Sequence, residues 1–486
     1  MNDMGKRLIV ICFLIISSFS SVILAQIQFD PYIAIPTGSS ADIVCIGDVN
    51  NDGLNDVVVG NGFYFDQEND FRILVYLQNS SGQLNSAIKY AYSAISTYPP
   101  LKTVKIVDID NDSRNDIIVG YGNKVSIFYQ NTVGTLDNPI IVAENTNVAY
   151  IDTGDLNHDG ILDIVVSPYD GNHFSIIYQD ASGNFNIVNI LKPSSITYLQ
   201  VVVADINGDG WDDIIFQRLA PTVGISIFLQ NNEVYYHNAI AIFYEMPNTA
   251  SPHVMHSMTT SDINNDGLID IIASKIGNVP DSRILIWYQN ALTHNLDFPE
   301  VFNAYHHAEA LQVSDVDNDG IKEIVTVNGG WERVSCHQQT DNVFTNNLLN
   351  YIPYASHYDT GGLAIGDINN DSRKDIAIAD YNNGLIILYN STQLSVTTHT
   401  KSRNAALVTF PNPVDNTLHF TLPENDAILE DIVVAIFDTT GKCVLKNLFS
   451  KITEDNTVNV EKLAAGFYTI TVEFDSVKLC DRFVKH

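Results

Sequence analysis

Positive charge is scarce in this chain. Its 486 residues hold 25 Lys and Arg against 57 Asp and Glu, a formal net charge of −32. Phosphate backbones and anionic lipid repel such a surface, which excludes nucleic acid and acidic membrane as electrostatic partners. Catalytic signatures are missing as well. There is no G-x-S-x-G elbow, no H-E-x-x-H helix and no phosphate loop. Cysteine is rare, with five in all. Cys12 lies in the N-terminal apolar run, Cys45 and Cys336 in strand-like runs, and Cys443 and Cys480 near the C-terminus. That count permits disulfides without establishing them. The small apolar setting of Cys45 and Cys336 predicts buried free thiols. Long apolar runs are confined to the N-terminus, where Lys6 and Arg7 precede Leu8 to Ile16, Ser17 to Ser21 and Ile23-Leu24-Ala25. This is the plan of a secretory signal peptide over residues 1–25. The run is short for a membrane span, so an uncleaved anchor is the lesser alternative.

What the chain has in abundance is one nine-residue pattern, D-x-[DN]-x-D-[GS]-x-x-[DE], written seven times. Positions 1, 3, 5, 7 and 9 of the first copy are Asp48, Asn50, Asp52, Leu54 and Asp56. The second has Asp108, Asp110, Asp112, Arg114 and Asp116; the third has Asp155, Asn157, Asp159, Ile161 and Asp163. Asp205, Asn207, Asp209, Trp211 and Asp213 make the fourth, and Asp262, Asn264, Asp266, Leu268 and Asp270 the fifth. The sixth runs through Asp315, Asp317, Asp319, Ile321 and Glu323, the seventh through Asp367, Asn369, Asp371, Arg373 and Asp375. Side-chain oxygens at 1, 3, 5 and 9, with the main-chain carbonyl of position 7, suit a hard cation of calcium size. Glycine at position 6 supplies a sharp turn in the left-handed region. A single copy is no more than an acidic turn. Seven copies about 50 residues apart are a repeat architecture.

The flanks identify the repeating unit. Short β-branched runs precede each loop (Ile43 to Ile46, Val104 to Val107, Val201 to Ala204) and follow it (Val57 to Val59, Ile117 to Val119, Ile271 to Ala273). Continuous apolarity implies strands buried on both faces. A third run, such as Ile73 to Leu77, usually ends in Gln-Asn, and a more polar fourth, such as Ile140 to Ala143, completes the unit. Four strands without a helix is the arithmetic of a propeller blade. The seventh repeat lacks its own fourth strand, and Phe29 to Ile35 matches the missing one. The expectation is an all-β, seven-bladed propeller over residues 26–395, closed by its N-terminal strand and monomeric.

These repeats resemble the FG-GAP/VCBS repeats of integrin-type propellers. The resemblance implies calcium in up to seven loops. Two competing readings fail: an EF-hand array needs flanking helices and Glu at position 12, and a thrombospondin-like calcium string needs loops far closer together. Three departures matter. Ser113 and Ser372 replace the glycine, and Glu323 replaces the closing aspartate, which predicts a looser sixth site. Positions 1, 3, 5 and 9 hold 23 carboxylates, and seven divalent ions would add fourteen positive charges, bringing −32 to −18.

A polar stretch, 396–404, reads as a linker to residues 405–486. There Phe410-Pro411-Asn412-Pro413, Asp438 to Lys442, Leu463-Ala464-Ala465-Gly466-Phe467-Tyr468 and the basic end Arg482 to Lys485 follow in order. This order resembles the type A sorting domain of type IX secretion, with a small β-sandwich carbohydrate module as the alternative. The resemblance implies handling by the type IX secretion machinery, export across both membranes of a Gram-negative bacterium, and a cell-surface or released product.

On the face opposite the loops, aromatic and histidine residues recur: Tyr64, Tyr121, Tyr169, Trp331, Tyr381, His307 and His357. Flat rings beside Asn, Asp and His suit sugar stacking or a protein hot spot. The plain alternative is packing between blades. His256, His307 and His357 precede successive first strands and raise the possibility of a polysaccharide-active enzyme, lyase or hydrolase. With no further catalytic parts, the leading expectation is a non-enzymatic, calcium-stabilised adhesion or binding module for a glycan or extracellular protein.

Overall fold

The computed structural model describes residues 27–62, 66, 68–92, 101–168, 171–192, 195–230, 242–247, 255–340, 343–355, 358–392, 408–410, 413–421, 432–438, 442–449, 456–474 and 477–486. The chain divides into two compact units, Met1–Leu394 and Ser395–His486. Among the described residues there are no helices, and none long and apolar enough to cross a membrane.

The first unit is built of seven four-stranded antiparallel sheets. The first sheet runs Ala41–Gly47, Asp56–Asn61, Arg72–Tyr76 and Ile88–Ala91 in spatial order. Five more sheets follow this plan, with second strands Asp116–Tyr121, Asp163–Pro168, Asp213–Ala220, Asp270–Lys275 and Glu323–Asn328. The seventh joins Leu363–Gly366, Asp375–Asp380 and Gly384–Leu388 to a strand from the other end of the chain, Ile33–Ile35. There Ile33, Ala34 and Ile35 pair with Ile387, Ile386 and Leu385. Asp30 N–H adds a bond to the Tyr389 carbonyl at 2.8 Å. The first strand of each sheet touches that of the next, and the seventh sheet returns to the first, so the sheets form a closed ring.

Strand periodicity explains why the second strands read as unbroken apolar runs. Successive side chains point to opposite faces, and each sheet is sandwiched between two others. Val58 packs with Val104, Ile117 and Val119 of the second sheet. Its neighbours Val57 and Val59 pack with Ala377, Ala379 and Ile387 of the seventh. Five further apolar clusters repeat this between the other neighbouring sheets. Each fully buried aliphatic side chain stabilises by about 1.5–3 kcal/mol, so the inter-sheet seams hold the ring. Cys336 is buried at one of them. Cys45 departs from the expected buried thiol: it is half-buried, lines the central channel, and donates to the Val104 carbonyl at 3.1 Å. Both are free thiols, as is the exposed Cys443.

The second unit pairs Val408–Phe410, Thr417–Thr421 and Asn456–Asn459 in one sheet. A second sheet holds Cys443–Phe449, Ile432–Phe437, Gly466–Phe474 and Val477–Lys485. Val414, Leu418, Phe420, Val434, Ile436, Ile470 and Phe483 form its core.

Candidate metal centres and ligand face

All seven acidic loops fold alike, each joining the first strand of a sheet to the second. Position 1 is the organiser. One oxygen of Asp48 accepts the Gly53 N–H at 2.8 Å, and the equivalent bond recurs in the other six loops, from Ser113 to Asp108 at 2.8 Å through Ser372 to Asp367 at 2.8 Å. The position 5 carboxylate accepts the N–H of position 7, as in Leu54 to Asp52 at 2.9 Å. Two residues per loop are left-handed. Position 6 was expected, and Ser113 and Ser372 both adopt φ of 68° there. Position 4 was missed: Asn51, Asn111, His158, Gly208, Asn265, Asn318 and Asn370 all have φ between 58° and 73°. The signal was present, because Asn and Gly tolerate that region best.

Position 9 closes each loop from the core. Asp56, Asp116, Asp163, Asp213, Asp270, Glu323 and Asp375 are all buried. Each accepts the N–H of position 2, as in Val49 to Asp56 at 3.0 Å and Ile368 to Asp375 at 3.1 Å. The residue that ends the third strand adds a second main-chain donor, while the side-chain amide of Gln230 reaches the loop of the preceding sheet, at the Leu156 carbonyl, 3.3 Å away. The main-chain N–H of Gln78, Gln130, Gln179, Gln230 and Gln289 donates to the position 9 acid of the same sheet at 2.7–2.9 Å. Burial pushes these acids up, Asp56 and Asp270 to about 6, Asp163 and Asp375 to about 7, Asp213 and Glu323 to about 8. A cation in the loop would reverse that shift.

The loops differ at position 3. In four of the five loops where it is Asn, the amide satisfies position 5: Asn50 donates to Asp52 at 3.0 Å, Asn264 to Asp266 at 3.0 Å, and Asn207 and Asn369 do likewise. Where it is Asp, three carboxylates converge with ligand atoms within 4.8 Å of one another. Those sets are Asp108, Asp110 and Asp116, and Asp315, Asp317 and Glu323. In the second loop Arg114 reaches round to the Asp112 carboxylate, and in the seventh Arg373 pairs with Asp371 at 2.5 Å. The sixth loop has no such internal cation among the described residues, and both Asp317 oxygens and one of Asp319 are buried without a hydrogen-bond partner. That donor set fits a hard divalent ion. Glu323 accepts the Val316 N–H at 2.8 Å, as the closing aspartates do in the other loops, and its carboxylate joins those of Asp315 and Asp317.

The opposite face is made by second-to-third turns and fourth-to-first connections. Tyr64, Tyr169 and His357 lie outside the described residues. Tyr121 is corrected to a core residue: it is buried, shares a 2.9 Å hydrogen bond with Ser126 and packs on Tyr92. Trp331 does present a surface, 40% exposed and stacked on His306 with centroids 4.2 Å apart. His307 sits 4.0 Å from Glu309, while His256 binds the Glu309 carbonyl at 2.7 Å. Tyr381 lines a cleft. Arg333 lies over the exposed Tyr351 ring at 3.2 Å.

Sequence reasoning missed the axis. The first strands of all seven sheets line a channel of about 250 Å³. In it the Lys105 ammonium meets Asp152 at 2.6 Å. At the mouth away from the loops, burial pushes Asp42 and Glu309 to about 7, with Asp359 adding to both. The available signal was a charged residue inside an apolar first strand, as in Val104-Lys105-Ile106.

The chain carries FG-GAP-like repeats, matched over residues 48–119, 108–166 and 159–216. Residues 408–486 match the secretion system C-terminal sorting domain, which marks handling by the type IX machinery and export across the outer membrane to the cell surface or medium. No curated protein matches the chain. Among solved structures it is similar to an Agrocybe aegerita lectin described as recognising non-reducing terminal N-acetylglucosamine, at 14% identity over 73% of this chain and 86% of that one, TM-score 0.49. It is also similar to the Pseudomonas aeruginosa periplasmic gluconolactonase, at 10% identity over 66% and 87%, TM-score 0.46. A putative 6-phosphogluconolactonase from Bacteroides fragilis gives 10% over 63% and 84%, TM-score 0.43. Likenesses this distant carry nothing about ligand or reaction.

Proposed function

We propose that this chain, an exported protein of FG-GAP-like repeats with a C-terminal sorting domain, is a non-enzymatic binding protein of the cell surface or medium. Residues 26–395 are the binding part and 405–486 the export address. Calcium, in up to seven loops, is structural: the loop carboxylates and the position 7 carbonyls would hold it, and its charge would neutralise acids that the fold buries. The sixth loop, with Asp315, Asp317, Asp319 and Glu323, is the strongest of the seven.

The ligand face is the one away from the loops. One observation carries this reading: Trp331 stays 40% exposed although its ring is fixed against His306. A rigid, half-solvated indole is what recognition sites use to anchor a glycan or a protein loop. Glycan and extracellular-protein arrays probed with the calcium-loaded mature protein test it, with the same glycans assayed for cleavage. Binding without cleavage, weakened at least tenfold by Trp331→Ala, is expected. Turnover of any glycan would replace this reading with a polysaccharide-active enzyme.

A further inference from the structure

The ring closes where Pro36 to Ser40, leaving the N-terminal strand, passes the turn Tyr381-Asn382-Asn383-Gly384 of the seventh sheet. The two segments enclose a cleft of about 300 Å³ on the face away from the acidic loops. Their backbones touch at its base: a Cβ added at Gly384 would lie 2.5 Å from the Ile35 carbonyl oxygen and 2.9 Å from Thr37 N.

The lining is unusual for so acidic a protein, because it holds no carboxylate and no cation. Thr37 and Ser39 bring hydroxyls, Asn382 and Asn383 amides, and Tyr381 a half-buried ring. The nearby acids stand behind the wall and fix it. Asp380, fully buried, accepts the N–H of Asn382 and of Asn383 at 2.9 Å each, and the Asn383 amide at 3.0 Å. Asp70 accepts the Ser39 hydroxyl at 2.6 Å. The Asn383 amide also reaches the Tyr354 carbonyl at 3.0 Å. The cleft is therefore preformed.

Three properties select the occupant. Its volume is at the lower end of the ~300–1,000 Å³ of small-molecule sites, room for one ring and not for a chain. Without a charged lining, neither an anion nor a cation would recover its lost hydration. Hydroxyls and amides beside one aromatic ring match a molecule with a hydroxylated rim and an apolar face. We infer that this seam is a subsite for a single neutral pyranose residue, stacked on Tyr381 and hydrogen-bonded by Ser39 and Asn382. The inference rests on the glycan branch of the proposed function and names the sugar class. Because the walls come from the two ends of the ring, an occupant would also favour the closed ring by mass action.

The test uses the full mature chain with calcium. Glucose, galactose, mannose and N-acetylglucosamine are titrated as free methyl glycosides, with methyl glucuronide as the charged counterpart, by calorimetry and saturation-transfer NMR. At about 10 mM, a ligand with a weak ~1 mM dissociation constant is detected. At least one neutral sugar should bind, raise the melting temperature, and exceed the glucuronide in affinity by tenfold or more. Tyr381→Ala and Asn382→Asp should each weaken that sugar at least tenfold. Leu292→Ala, an exposed turn residue on the loop face, should not. Asn382 is exposed at the turn tip, so Asn382→Asp keeps the test usable should Tyr381→Ala fail to fold. Sugar binding that survives both substitutions overturns the seam subsite and leaves the broader binding reading standing. No sugar binding, with a protein captured on the array, overturns the subsite and the glycan branch together. Silence in every assay overturns both this inference and the proposed function.

Discussion

Asn115, next to the closing acid of the second loop, donates its amide to the main-chain carbonyl of Asp48 in the first loop at 2.9 Å. The same link recurs around the ring. Asn55 reaches Asp367 at 3.1 Å, Lys322 reaches Asp262 at 2.9 Å, and Asp212 accepts the Asp155 N–H at 2.8 Å. Third-strand ends add more: Asn390 donates to the Val316 carbonyl at 2.8 Å and Gln230 to the Leu156 carbonyl at 3.3 Å. Each loop is thus held partly by its neighbour. Asn115→Ala should cost about 1 kcal/mol, the net worth of one such bond. It should also couple to Asp48→Asn by roughly 0.5–1 kcal/mol in a double-mutant cycle of calcium-loaded stability, since residues sharing a network are not additive. Strict additivity would mean that the loops act independently.

Calcium and pH should act against each other. Without the ion, the position 9 acids have folded pKa values raised by burial, from about 6 for Asp56 to about 8 for Asp213 and Glu323. A raised acid favours the protonated folded state, so its contribution is fully present below the unfolded value near ~4 and is lost as pH rises through the folded value. The chelated protein should therefore lose melting temperature from about pH 4 upward, with the last of the loss near pH 8 where Asp213 and Glu323 ionise. Calcium keeps these carboxylates ionised and compensated, so the loaded protein should hold its stability over that window. Thermal melts with calcium or with chelator across the range measure the gap, which should widen with pH. A gap that is constant or narrowing would contradict the assignment of these acids as ligands.

Ser113 and Ser372 carry a backbone cost that glycine removes. Both sit at φ of 68°, where a side chain costs about 1 kcal/mol. The glycine loops show that the space itself is open, as a Cβ added at Gly53 or Gly160 meets nothing within 4 Å. The strain is therefore conformational and not steric contact with neighbours. Ser113→Gly should stabilise by a few tenths to about 1 kcal/mol, the greater freedom of glycine in the unfolded chain offsetting part of the gain. Denaturant midpoints at fixed calcium decide it, and a loss of stability would mean that the serine hydroxyl holds the loop in a way its geometry does not reveal.

The strands and the loops were legible in the sequence because both depend on local chemistry. Three branched residues such as Val57-Val58-Val59 can only be a strand buried twice, and an Asp-rich nonapeptide with a central glycine can only be a turn. The face away from the loops was less legible. Tyr121 ends its second strand, where the seventh sheet has the buried Asp380, and Tyr381 stands one residue further on; that single step takes one ring into a seam beside Tyr92 and the other to a cleft. The channel charges were hidden for a related reason: Lys105 and Asp152 are 47 residues apart in the numbering, and only the stacking of neighbouring sheets brings their strands side by side. The role of Gln at the third-strand end also needed the fold, since its partners lie in the loop of the same sheet and in that of the preceding one.

The N-terminal strand should be the weak point of the ring. Ile33, Ala34 and Ile35 are the sole strand covering the outer edge of Gly384–Leu388 among the described residues, in a three-residue register that Asp30 and Phe29 extend. Phe29 and Ile27 are buried against residues of the sixth and seventh sheets, including Val334 and Leu388. Deleting Phe29 to Ile35 would leave the Leu385–Leu388 edge with unpaired N–H and C=O groups and remove an apolar plug. We expect the mature protein lacking these seven residues to melt lower even in saturating calcium and to associate through that edge. Adding the excised peptide in trans should restore the monomer by re-forming the pairs of Ile33, Ala34 and Ile35 with Ile387, Ile386 and Leu385. Light scattering and thermal melts read both effects, and a truncated protein that stays monomeric and melts like the intact chain would mean that the ring does not depend on this strand.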